Sequence, residues 1–366
     1  MKIYSNVLDR QYKKYKKEYD DSILKTLQGG YYVLGPEVEG FEKEFAEYIG
    51  AKHCVGLASG LDALWISLKV LGIGSGDDVV VQSNAYIATV MAITMVGATP
   101  IFVEPDEHYN MDVDKIETSI TDNTKAVIVT HLYGQPTSRM DRVKEICEKH
   151  NLFLVEDCAQ SHGAKYNKKT TGTFGDIGCF SFYPSKNLGC FGDGGAIVTD
   201  NEKIAKNIRT FRNYGSEKRY YNKVVGANSR LDELQAALLR VKLRHLKELQ
   251  DERDRLAGRY LGKIKNPLIE LPLVAEKCVP VWHLFVVRCE KRDELIKYLE
   301  RNDIQALIHY PVPPHLQEAY RDLGYKRGDF PIAEKYASTV LSLPLYIGMV
   351  DDEIDYVIDK INKFGR

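Results

Sequence analysis

No CxxC pair, internal repeat, low-complexity tract or charge excess of either sign marks this sequence of 366 residues. Each absence excludes something. Seven cysteines, an odd number without metal-ligand spacing, give no basis for a disulfide framework or a structural zinc site, and reduced thiols in a cytoplasmic protein are expected. The balance of 50 basic against 51 acidic residues excludes electrostatic binding of nucleic acid or of an anionic membrane as the main activity. Small polar substrates remain open. No apolar leader stands at "MKIYSNVLDR", which agrees with the cytoplasmic expectation. What is there is an ordinary globular composition, 44% hydrophobic, sufficient for a large core and two or three domains.

Residues 79–103 carry no charge and are long enough to span a bilayer. Gln82, Ser83, Asn84, three threonines, Gly97 and Pro100 divide the run instead into strand, helix and strand. The early segment "RQYKKYKKEYDD" reads as a solvated helix face, with a basic binding patch as its alternative.

Apolar runs predict seven strands, at 53–58, 78–83, 99–104, 125–131, 152–157, 177–182 and 195–200, with helices at 60–71, 85–96 and 138–150. That alternation predicts an α/β fold with a mostly parallel sheet covered on both faces. The eleven residues between Phe182 and Gly194 are too few for a helical crossover, so an antiparallel step is expected there. From residue 231 a long charged helix, "LDELQAALLRVKLRHLKELQDERDRLAGRYLGKI", leads into a smaller α/β region with expected strands at 282–288 and 304–308. The boundary is set near residue 250, giving a large domain over 1–250 and a small one over 251–366.

Ligands of α/β sheets bind beyond the strand ends. "LFLVEDCAQSHGA" places Glu156 and Asp157 at such an end, where an acid also serves as a cap or loop partner. Ser59 and Gly60 open a helix after a strand, which suits an anion or a plain N-cap. Lys186, in "SFYPSKNLGCFGDGGAIV", sits among aromatic, proline and glycine residues and alone reads equally as a turn residue. The three together suit more. A lysine that loses its proton readily can condense with an aldehyde cofactor, which needs an acid at its ring nitrogen and a cradle for its phosphate.

The motifs "ASGLDAL", "SNAYIATV", "VEDCAQSHGA", "SFYPSKNLGCFGDGGAIVT", "GANSRLDELQAA" and "HYPVPPHLQEAY" occur in the order of a known family. Over nearly its whole length the chain resembles the DegT/DnrJ/EryC1/StrS sugar-nucleotide aminotransferases, pyridoxal 5'-phosphate enzymes of fold type I. The resemblance implies that Lys186 bonds to the cofactor aldehyde and that Asp157 meets its pyridine nitrogen. It implies Gln160 at the ring hydroxyl, Tyr86 on the ring face, Ser59, Gly60, Leu61 and Ser181 at the phosphate, and Asn228 reaching the cofactor of the neighbouring subunit in a homodimer with composite sites. Tyr183, His309 and Tyr310 are placed near the sugar, and Lys218 and Arg219 near its diphosphate. A branch with histidine in place of the lysine dehydrates its substrate; retention of Lys186 implies transamination.

The form of the lysine motif resembles family members acting at carbon 3, which implies a dTDP-linked 3-keto-6-deoxyhexose as acceptor and glutamate as donor, in surface-glycan biosynthesis. A 4-keto or a UDP-linked sugar is the alternative. Cys158 and Cys190 lack an activating histidine and read as buried small hydrophobes. His309 and His315 have no third ligand, so no metal is expected, and His162 suits the core as well as the site. A nicotinamide dehydrogenase is disfavoured because "LGIGSG" lacks GxGxxG spacing and follows a helix. A non-enzymatic protein retaining the fold is disfavoured by the intact set of Lys186, Asp157 and Gln160.

Overall fold

Every expected strand of the large sheet forms. In the computed structural model, which describes residues 1–365, these are β1 (His53–Leu57), β2 (Asp78–Gln82), β3 (Thr99–Val103), β4 (Thr124–Thr130), β5 (Phe153–Asp157), β6 (Ile177–Ser181) and β7 (Gly195–Thr199). Their order across the sheet is β1-β7-β6-β5-β4-β2-β3. β7 alone is reversed, running antiparallel to both neighbours, β6 and β1. The other contacts are parallel. The expected antiparallel step therefore occurs where the short connection forces it.

The reversed strand has a consequence at its start. Gly195 pairs with Ser181 of β6 on one side and with Leu57 of β1 on the other, which draws the carboxyl ends of both strands together. Helix α1 (Gly60–Val70) begins there, capped by Ser59, whose side chain accepts the backbone N–H of Asp62 at 3.1 Å. The uncharged run resolves into β2, helix α2 (Ile87–Met95) and β3. No helix among the described residues is long and apolar enough to cross a membrane.

The long helix expected over 231–264 is two helices. α3 (Glu233–Arg244) and α4 (Leu246–Lys263) meet at His245, which leaves helical geometry (φ −99°, ψ 1°) and stacks its ring on Tyr15 at 4.0 Å. Residue 250 lies within α4. Beyond it, β8 (Phe285–Arg288) pairs antiparallel with β9 (Val340–Leu343). A second core forms around them, with Tyr260, Phe285, Leu295, Leu299, Ile354 and Val357. Ile3 joins that core from the other end of the chain.

The strand expected at 304–308 does not form. Ile304 and Leu307 make isolated bridges, to Ile3 and to Ser342 respectively. The run turns between two partners and has no continuous edge to follow. All seven cysteines are free and buried.

Candidate active site

Strand alternation separates the two acids at the end of β5. Glu156 points away into the core, where its carboxylate accepts backbone N–H groups of Gly172 (2.8 Å), Phe174 (2.6 Å) and Gly175 (2.8 Å) and approaches Nε2 of His131 at 3.0 Å. Cys158 lies beside this pair, but Nδ1 of His131 already accepts the Thr137 N–H and Glu156 is saturated, so the three serve structure. Asp157 points the other way and lines a cavity of about 540 Å³.

The cavity gathers Ser59, Gly60, Leu61, Tyr86, Asp157, Gln160, Ser181, Tyr183, Lys186, His309 and Tyr310 from five separate stretches of sequence. Asp157 is only 4% exposed. Its Oδ2 accepts the Thr89 hydroxyl at 2.6 Å and its Oδ1 the Ala159 N–H at 3.1 Å, which hold the carboxylate in one orientation. Gln160 is fixed at both ends of its amide: Oε1 accepts the Tyr133 N–H at 2.6 Å and Nε2 donates to the Tyr310 hydroxyl at 3.1 Å. Tyr310 lies 4.9 Å from Tyr86, ring centre to ring centre. Tyr86 is 47% exposed and Tyr183 55% exposed, both at the cavity mouth.

Lys186 is held through its backbone, its N–H donating to the Tyr183 carbonyl at 2.9 Å. Among the described residues its ammonium has no hydrogen bond and no ion pair. Burial pushes its pKa down to about 8, against the opposing pull of Asp157. The neutral amine, which is the nucleophile, is thereby available near neutral pH.

Beside it, the start of α1 and the end of β6 touch. A Cβ on Gly60 would stand 2.5 Å from the Cβ of Ser181, so only glycine permits this approach. The result is an anion cradle at a helix N-terminus, next to a lysine and facing an acid. These are the parts pyridoxal 5'-phosphate requires, and the residues present fit it.

Residues 13–362 match the DegT/DnrJ/EryC1/StrS aminotransferase family. The chain belongs to that family. It is 49% identical over 353 residues, 96% of each chain, to the dTDP-3-amino-3,6-dideoxy-alpha-D-galactopyranose transaminase of Aneurinibacillus thermoaerophilus. It is 46% identical over 361 residues, 98% of this chain and 95% of the other, to the dTDP-3-amino-3,4,6-trideoxy-alpha-D-glucose transaminase of Streptomyces venezuelae. Its fold matches the crystal structure of S. venezuelae DesV in complex with a ketimine intermediate, with a TM-score of 0.97 and 46% identity over 99% of this chain and 98% of that one. The structure of NtdA from Bacillus subtilis with bound cofactor PMP matches with a TM-score of 0.88 and 32% identity, over 95% of this chain and 81% of that one. The fold is thus that of the pyridoxal-phosphate aminotransferases of fold type I, and the cofactor of this aminotransferase is pyridoxal 5'-phosphate.

Three expected site residues lie outside the aminotransferase's own cavity. Lys218 and Arg219 sit on a small hairpin, Ser216–Lys218 with Tyr221–Asn222, and rest over the rings of Tyr221 and Tyr220. Asn228 is exposed and bridges to Asn213. His315 is also elsewhere, packed on Phe330 with Nε2 3.2 Å from Glu334. His162 is a core residue against Phe180 and Phe182, its pKa pushed down to about 3 by burial and by Lys186, and so neutral. Cys190 is a buried thiol pushed up to about 11 by burial.

Sequence reading missed Thr89, Arg253 and His283. Thr89 stands three residues after Tyr86 on the first turn of α2, a spacing that shares a face and could have found it. Arg253 lies in a run of alternating charges that resembles any solvated helix. His283 is buried at the cavity wall, its Nδ1 3.2 Å from Oδ1 of Asn187, and burial holds it well below the usual imidazole range. His309 is likewise pushed down to about 4, by burial and then by Lys186, with Nδ1 2.8 Å from the Ser342 hydroxyl.

Proposed function

We propose that this aminotransferase moves an amino group from glutamate to carbon 3 of a dTDP-linked 3-keto-6-deoxyhexose, giving a dTDP-3-amino-3,6-dideoxyhexose for surface-glycan synthesis in the cytoplasm. The supporting observation is the meeting of a partnerless lysine of lowered pKa, an oriented carboxylate and a glycine-gated cradle at one cavity. The names of its relatives of matching length favour a dTDP sugar aminated at carbon 3.

In this reading Lys186 bonds to the cofactor aldehyde, Asp157 faces the ring nitrogen, Gln160 the ring hydroxyl, Tyr86 the ring face, and Ser59, Gly60, Leu61 and Ser181 the phosphate. When bound, the cofactor supplies an electron sink for the carbon that carries the amine. Asp157, oriented by Thr89 and Ala159, holds the proton on the ring nitrogen. Lys186, displaced from the aldehyde by the substrate amine, would remove a proton from the substrate carbon as base and, as acid, return it on the far side of the amine nitrogen, at the former aldehyde carbon. The neutral His309 offers a hydrogen bond to the sugar beside Tyr310, with Tyr183 orienting it from the mouth.

The functional unit in this proposal is a homodimer. Asn228 serves the partner's cofactor phosphate, and Lys218 and Arg219, carried just before it, serve the substrate diphosphate. Support comes from the same segment: Val225 is 95% exposed and Tyr220 82% exposed, apolar surface that a second copy would cover. Each chain is divided into a large unit over 1–250 and a small one over 251–366, with Arg253, His283, His309 and Tyr310 contributing the second wall of the cavity.

The test is turnover of matched 3-keto and 4-keto sugars on dTDP and on UDP, with glutamate as donor. Amination of the dTDP-linked 3-keto sugar is expected. Turnover of a 4-keto sugar alone would overturn the carbon assignment, and preference for UDP the nucleotide assignment. The purified protein should absorb visible light, and borohydride should abolish that band without releasing the cofactor.

A further inference from the structure

Arg253 is buried in α4 and forms no ion pair among the described residues. A guanidinium cannot shed its proton to escape burial, so a buried one without an anion is costly. Its Nη1 donates to the carbonyls of Trp282 (3.0 Å) and His283 (3.3 Å), which fixes the plane of the fork. Among the described residues, Nε and Nη2 have no acceptor. Neither is sealed off, in contrast to the partnerless Nε of Arg212 and of Arg259.

Arg253 lines the 540 Å³ cavity together with Lys186, and the two also share a small adjoining crevice with Asn6. Of the acids on the cavity wall, Asp157 is engaged by Thr89 and Ala159, and Asp193 makes no ion pair among the described residues. The arginine is thus a preoriented cation with two free donor positions beside the reacting lysine.

We propose that Arg253 is the receptor for the carboxylate on the reacting carbon of the amino donor, a carboxylate that its fork can hold bidentately. This rests on the transaminase reading above and adds the residue that tells donor from acceptor. The two substrates meet Lys186 in turn. A keto sugar nucleotide carries its charge on a diphosphate several bonds from the reacting carbon, whereas an amino acid carries a carboxylate directly on that carbon. A cation sharing the wall with Lys186 therefore matches the amino acid.

The experiment separates the half-reactions in the intact holoenzyme. With Arg253→Gln and Arg253→Lys, the glutamate half-reaction and the sugar-nucleotide half-reaction, the latter started from enzyme already carrying the amino group, are followed by cofactor absorbance in single turnovers. Loss of a charge-assisted pair predicts that the glutamate concentration for half-maximal rate rises by about 10–100-fold in Arg253→Gln, far more than the corresponding value for the sugar nucleotide. Arg253→Lys should fall between. Equal effects on both half-reactions, or a glutamate value within about twofold of the parent enzyme, would overturn the proposal.

Should both variants fail to fold, the unaltered enzyme decides. Glutamate should react, while 4-aminobutyrate, which lacks the carboxylate on the reacting carbon, should be slower by a similar factor; equal rates would overturn the proposal. Calorimetry with 2-oxoglutarate gives a reading independent of turnover, and binding unchanged in Arg253→Gln counts against the assignment. An unaltered enzyme inactive in both half-reactions would sink the transaminase reading itself, a result distinct from failure of Arg253 alone.

Discussion

The Thr89 hydroxyl donates to Oδ2 of Asp157 at 2.6 Å, from the first turn of one helix to the end of a strand 68 residues away. That contact aims the carboxylate into the cavity. Thr89→Val keeps the shape and removes the donor, and a hydrogen bond to a charged group is worth about 1.5–3 kcal/mol. The glutamate half-reaction should slow by about tenfold or more in single turnovers, alongside a modest fall in unfolding temperature from the lost contact. Unchanged rates would make the contact structural only.

Asp157→Asn removes the charge at the ring nitrogen while retaining the shape. Proton abstraction should slow far more than cofactor binding weakens. Stopped-flow absorbance with glutamate, beside a titration of cofactor-free protein with pyridoxal phosphate, checks both halves of the statement.

Lys186 sets a pH dependence. Its pKa, pushed down to about 8, means that capture of pyridoxal phosphate by cofactor-free protein should accelerate as pH rises and level off above that value. In the unfolded chain a lysine keeps its proton to about 10.4, so between the two values the unfolded chain binds more protons. Stability of the cofactor-free protein should therefore rise with pH across that window and lose this contribution below it. Lys186→Ala should abolish both dependences and turnover, while the cradle still binds the cofactor non-covalently. Capture with a plateau only above pH 10 would refute the lowered pKa.

Gly60→Ala places a methyl group against Ser181, 2.5 Å from its Cβ. Overpacking of this kind costs about 1–3 kcal/mol, and here it also closes the cradle. Cofactor should be lost on dialysis much faster than from the parent enzyme, as measured by residual visible absorbance.

Composite sites predict complementation. Asn228→Asp sets a negative charge against the partner's phosphate, and Lys186→Ala removes the chemistry, so each homodimer should be impaired at both sites. Mixing the two variants after reversible dissociation should create dimers with one intact site. Restored activity is the expected outcome. No gain on mixing would place Asn228 in its own subunit's site or outside any site.

The sheet was legible because each strand is a short apolar run closed by turn residues, a signal carried by neighbouring positions. The motif residues were legible one stretch at a time, and Ser59, Asp157 and Lys186 do line one cavity. Less local features were not readable. The helix over 231–264 breaks at His245 because that ring stacks on Tyr15, and nothing around His245 in the chain signals a partner 230 residues away. The expected strand at 304–308 is divided between Ile3 and Ser342, both distant.

By itself, the sequence determined the alternation of strands and helices, the reversal of β7 and the residue types at the strand ends, since these follow from periodicity, connection length and turn chemistry. Only the tertiary structure decided which charges go unpaired. Arg253 reads as one more cation in a charged helix, and although motif resemblance singles out Lys186, nothing in the chain shows that either charge is stripped of water until folding does so. Burial and the absence of a partner are properties of the packed chain, because the field at a charge is set by whatever surrounds it in space.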